Sequence, residues 1–193
     1  MTVNRDQAQR AIADLLKSFG HDPEQDPNLA QTPALVVESW ENEWLCGYGV
    51  DIPSLFAATT VSAVGPAPVV SLSKIALWTL CPHHLLPAEG VATVAYLPGQ
   101  LLLGLGTLAR LVEAYSRRFT LQEQIGVNVV AALMTHGGAR GAFCRLDMRH
   151  SCLRLRGPKQ PNTLATTTQF AGVFDTADGR RELEAALRQE SPV

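Results

Sequence analysis

The sequence predicts an α+β protein, and three observations predict it. β-Branched and apolar runs broken by Gly and Pro fill the stretch 56–103, two long stretches of helical periodicity follow, and helical spacing governs the region before residue 56. The 193 residues suit one domain with an N-terminal appendage and are enough to bury a sizeable core. The expected organisation is a helical region over 1–55, a main domain over 56–175 and a polar tail over 176–193.

Ala8, Ile12, Leu15, Leu16 and Phe19 recur at helical spacing and predict a first helix, followed by a polar loop over 21–31 that holds two prolines. Thr32-Pro33 sets a capping hydroxyl before a proline at the first helical position. It predicts a helix reaching about residue 47, with Val36, Val37, Trp40 and Trp44 available for packing. Strands are expected over 61–64, 69–80 and 91–97, and they read as antiparallel. Pro98-Gly99-Gln100 makes a turn, and Leu101 to Leu105 leads into a helix over about 107–118 with Leu108, Leu111, Val112 and Tyr115 on its apolar face. A second long helix over about 121–136 carries Ile125, Val129, Ala132 and Leu133 and ends at Gly137-Gly138. Strands near 141–149, 152–156 and 163–170 complete the sheet, and the tail shows helical spacing at Leu183, Ala186 and Leu187.

A net charge of -2 with 18% charged residues leaves no basic excess for a phosphate backbone, so nucleic-acid binding is disfavoured and a small-molecule partner is expected. No apolar run approaches the ~20 residues that span a bilayer, and residues 1–6 lack the apolar stretch of a secretory signal. A cytoplasmic protein without membrane contact is expected. In a reducing compartment the four cysteines (Cys46, Cys81, Cys144 and Cys152) favour metal binding over disulfides, because two of them sit beside histidines.

Those two cysteines belong to Cys81-Pro82-His83-His84 and His150-Ser151-Cys152. In Cys-x-x-His a tight turn lets residues three apart converge on one ion, and His-x-Cys on a strand points both side chains to one face. The spacings suit one zinc ion. A closed structural zinc competes with a catalytic one and needs a fourth protein ligand. Cys144 is a poor candidate for it, because eight strand residues put it about 26 Å from Cys152; His83 stays open in that role.

Several short motifs occur in a fixed order: Cys81-Pro82-His83-His84-Leu85-Leu86-Pro87, Val94-Ala95-Tyr96-Leu97-Pro98, Gly104-Leu105, Leu108-Ala109-Arg110, Arg117-Arg118, Gln122-Glu123, His150-x-Cys152 and Arg156-Gly157. With these the chain resembles the GTP cyclohydrolase I family over about 32–174. The resemblance implies a T-fold (tunnelling fold) catalytic domain over 56–175, an antiparallel sheet backed by two long helices, assembled into a toroidal homo-oligomer with active sites between subunits. It makes Cys81, His84 and Cys152 zinc ligands and His83 and His150 the proton-handling pair. Glu123, with Gln122 beside it, would hold the guanine edge, and Arg110 and Arg156 would meet the substrate. Two thiolates and one imidazole leave a fourth position for water, whose pKa zinc lowers toward ~7.

The departures from the family gather on one part of the pocket. Gly106 and Thr107 stand where members acting on GTP carry Ser-Lys, Leu35 and Glu38 stand where they carry Arg and Lys, and Pro82 replaces a glutamate. Three cations are lost and one carboxylate gained, a swing of four charge units. One unit-charge pair about 4 Å apart is worth roughly 4 kcal/mol at an effective dielectric near 20, before desolvation. On strand parity Arg156 would point into the site, as its family position implies; Arg154 shares that parity and would either join it or pair with acids on the surface or across an interface.

The expectation drawn from this balance is a zinc-dependent cyclohydrolase that opens the imidazole ring of a guanine-type purine at C8. Its substrate is expected to be a base or nucleoside without triphosphate, with 8-oxoguanine as a candidate. The alternatives are a GTP cyclohydrolase I that makes dihydroneopterin triphosphate and formate, and a non-catalytic zinc-bound member with a structural or regulatory role.

Overall fold

Asn4 accepts a hydrogen bond from Gln7 N at 3.1 Å and so caps α1 (Arg5–Ser18). The computed structural model describes residues 2–63 and 65–188, so Val64 of the expected strand and 189–193 of the tail lie outside the described residues. Helix α2 (Thr32–Ser39) has Pro33 in its first turn as expected, but Thr32 does not cap it. The backbone is already helical at Gln31, which puts the Thr32 hydroxyl inside the helix. Nor does one α-helix run to residue 47: α2 passes into a π-helical turn, Trp40–Trp44, and a 3-10 turn, Cys46–Gly49. Gly47 lies so close to α4 (Leu105–Ser116) that a side chain there would overlap the Ala114 carbonyl. Gly47 N donates to Arg117 O at 3.1 Å, and Arg118 Nη2 donates to Gly47 O at 2.9 Å, which ties the N-terminal region to the end of α4.

The short helix α3 (Ile52–Ala57), capped by Asp51, closes the helical region and carries it two residues, Phe56 and Ala57, into the stretch expected to hold strands. Strand β1 (Thr60–Ser62) pairs with β4 (Leu101–Leu103) in a separate two-stranded sheet. The main sheet is antiparallel throughout, in the order β2 (Val70–Leu80), β3 (Pro87–Leu97), β5 (Gly141–His150), β6 (Ala165–Gly172). Between Leu72 and Ile75 the β2 register shifts, and Lys74 at φ 57° forms the irregularity.

Helices α4 and α5 (Gln122–Thr135) cover one face of this sheet. Leu108, Leu111 and Val112 of α4 and Ile125, Val129 and Leu133 of α5 meet Leu77, Ala92, Val94, Leu146 and Met148 in one core. This is the apolar stripe that the helical periodicity predicts. On the opposite face, α7 (Ala177–Arg188) packs Leu183 and Leu187 against Leu97, Phe143 and Phe174. No helix among the described residues is long and apolar enough to cross a membrane.

Leu111 has no exposed surface and sits where α4 meets the sheet. Leu111→Ala is expected to lower stability by about 2–5 kcal/mol, read as a lower midpoint in urea unfolding at unchanged slope.

Candidate active site

Sheet register brings the ends of three strands together. Leu80 pairs with Pro87, and Ala88 pairs with both Thr79 and His150. Just beyond β2 the chain turns tightly: Cys81 N donates to Leu86 O at 2.9 Å and Leu85 N donates to Cys81 O at 2.8 Å. Leu85 takes φ 54°, a region that side chains of its size ordinarily avoid. The turn folds His84 back beside Cys81, as the Cys-x-x-His spacing predicts.

Cys152 reaches the same place by a route that strand parity does not describe. The chain leaves β5 at His150 and makes a single helical turn, α6 (Ser151–Arg154), so the expected strand over 152–156 is absent. The strand has run out of partners. On one side β6 begins at Ala165, opposite Met148. On the other, β3 begins at Pro87, which has no N–H to give the next rung. The side-chain ligand atoms of Cys81, His84 and Cys152 nevertheless lie within 4.8 Å of one another. Two thiols and an imidazole gathered at that spacing are a donor set that fits a tetrahedral zinc, whose ligand atoms stand roughly 3.5 Å apart.

His83 stands next to this group without joining it, exposed, with Nδ1 3.8 Å from Cys81 Sγ. Cys144 is fully buried on β5, and burial pushes its thiol up to about 12, which leaves it a core residue. Arg156 donates from Nη1 to His84 Nε2, so its guanidinium borders the group. The parity argument fails for Arg154, because α6 is helical. Its Nε donates to Pro161 O at 2.9 Å and its Nη1 lies 3.8 Å from Glu89 Oε1, which ties α6 to its neighbours.

The first turn of α5 completes the neighbourhood. Gln122 is 3% exposed, and its amide oxygen lies 2.8 Å from His150 Nε2. Glu123, the next residue, is exposed. Burial holds the His150 imidazole below its ordinary range, while the Glu123 carboxylate pulls it upward, so Glu123 and His150 share one electrostatic environment. Arg110 lies elsewhere, in a groove of about 450 Å³ along β2 and α4 that Lys74 and Arg117 also line. Lys74 escaped the sequence reading because a cation inside an alternating strand carries no signal until the irregularity at Leu72 to Ile75 turns it outward.

Comparison with known proteins extends the picture beyond the site. Residues 8–188 match the family described as GTP cyclohydrolase I. A GTP cyclohydrolase 1 of Chromobacterium violaceum is 37% identical over 94% of this chain and 87% of its own. The enzymes of that name from Maricaulis maris and Leifsonia xyli subsp. xyli are 36% and 33% identical, over 89% and 95% of this chain and 82% and 95% of theirs.

These matches overturn the expectation of a base or nucleoside substrate such as 8-oxoguanine, since relatives alike over nearly the whole chain are named for GTP. That expectation counted charge only at family positions. Thr107, one of them, is buried with its hydroxyl paired to Thr59 Oγ1 at 2.5 Å, while Lys74 joins Arg110 from outside the count. The chain belongs to the GTP cyclohydrolase I family and so to the hydrolases that act on cyclic amidine C–N bonds.

Proposed function

We propose that the protein is a GTP cyclohydrolase I that converts GTP and one water into formate and dihydroneopterin triphosphate. One observation carries this reading: the ligand atoms of Cys81, His84 and Cys152 converge within 4.8 Å at the strand ends where His150 also lies. Two thiolates and an imidazole suit a zinc with one coordination position left to water, and such an ion, when bound, lowers the pKa of water toward ~7. His150 handles the proton at purine N7, which makes C8 a better electrophile. His83, on the exposed side of Cys81, handles the second proton. Glu123 accepts hydrogen bonds from guanine N1–H and the exocyclic amine.

The triphosphate falls to Arg156, Arg110 and Lys74. Lys74 lies seven residues before Cys81, about 23 Å along an extended strand, too far for one nucleotide to join the groove to the same chain's cysteines. The groove therefore serves a neighbouring copy, and the active site lies between subunits of a homo-oligomer. The outer edges of β2 and β6, which among the described residues take no further strand in the four-stranded sheet, support such an assembly.

Zinc-loaded protein given GTP is expected to release formate and a product that becomes a fluorescent pterin on oxidation; inertness toward GTP contradicts the proposal. Cys152→Ala is expected to lose both zinc, by metal analysis, and turnover. His150→Ala should keep zinc and lose at least about 10²-fold in kcat. Lys74→Ala is expected to raise KM for GTP about tenfold with kcat little changed. Arg110→Ala and Cys152→Ala chains, each inactive alone, should regain activity when assembled together, whereas a site confined to one chain predicts no recovery.

A further inference from the structure

We infer that Gln122 is a positioning residue: it fixes the rotation of the His150 ring and places that ring's hydrogen on Nε2, leaving Nδ1 to exchange a proton with the substrate. The inference rests on the proton-handling role proposed for His150.

The orientation of the amide follows from its partners. Gln122 Nε2 lies 3.0 Å from Leu146 O, 3.0 Å from Ala165 O and 3.2 Å from Thr167 Oγ1. Backbone carbonyl oxygens only accept. A reversed amide would set Gln122 Oε1 against both of them, so the nitrogen faces β5 and β6 and the oxygen faces His150. That oxygen also only accepts. His150 Nε2, 2.8 Å away, must therefore carry a hydrogen.

In the neutral imidazole this leaves Nδ1 bare, and among the described residues Nδ1 has no hydrogen-bond partner from the protein. The chain of constraint is stiff, because it starts from carbonyls locked in the sheet ladder between Met148↔Ala165 and Gly141↔Gly172. At 3% exposure the amide is also shielded from competing water. Both of its N–H groups are engaged by the protein, so this side chain has no donor left for a guanine. With one hydrogen held on Nε2, a proton taken up at Nδ1 is the one the ring can pass to purine N7 as it returns to the neutral form; a ring that kept its hydrogen on Nδ1 would forfeit the bond to Gln122 and with it a general-acid contribution on the order of 10²–10⁴.

The test is nitrogen NMR of zinc-loaded protein labelled with ¹⁵N-histidine, His150 being assigned by the loss of its signals in His150→Ala. The expected spectrum at alkaline pH shows Nε2 protonated and Nδ1 unprotonated. An Nδ1–H tautomer, or an even mixture, overturns the inference. The spectrum needs no turnover, so protein inert toward GTP that still shows the Nε2–H tautomer defeats the proposed activity and leaves the positioning intact. Gln122→Met keeps the volume and removes the amide. It is expected to give mixed tautomers and a kcat reduced about 10²-fold, with KM for GTP within about twofold and zinc content unchanged. A higher KM with kcat and tautomer unchanged would mean that Gln122 acts on the substrate, and it overturns the inference. Should Gln122→Met fail to fold, the wild-type spectrum alone decides.

Discussion

The pairing of Ala88 with Thr79 on one side and His150 on the other is the constraint on which the rest of the site depends. Cys81 and Cys152 each lie two residues beyond one of those partners, so the register of β3 aligns the two thiols at one end of the sheet. A slip of one residue would move a thiol about 3.3 Å and turn its neighbours to the opposite face. The buried face guards against that slip. Ala88, Ala92, Leu146 and Met148 are all packed in the core shared with α4 and α5, and a shift would expose the whole set.

Helix α5 serves both the core and the candidate site. Ile125, Val129 and Leu133 anchor it, and its first turn then holds Gln122 and Glu123 at the strand ends. Burying an amide without partners costs about 1–3 kcal/mol, a cost that four hydrogen bonds offset at Gln122. Burial holds the His150 imidazole below its ordinary range, while the nearby Glu123 carboxylate pulls it upward.

The long helices and the central strands were legible in the sequence because their apolar periodicity is what the core buries. The convergence of Cys81 and His84 was legible for a similar reason: Cys-x-x-His needs only a local turn, and Cys81 to Leu86 closes one. Residues 152–156 misled. Cys152, Arg154 and Arg156 alternate with Leu153 and Leu155 as a strand would, but a strand needs neighbours, and Pro87 and the start of β6 deny them. The partners of Gln122 were invisible because two of them are backbone carbonyls, which leave no mark on residue identity. The substrate was misjudged because charge was counted only at family positions, whereas Lys74, which lines the same groove as Arg110, is placed there by a register shift rather than by a motif.

X-ray absorption at the zinc edge of the metal-loaded protein tests the central claim most directly. The account predicts two sulfur neighbours at about 2.3 Å and two lighter neighbours at about 2.0 Å, one an imidazole nitrogen and the other an exchangeable water oxygen. Two sulfurs with two imidazoles and no water, or protein that takes up no zinc, would contradict it.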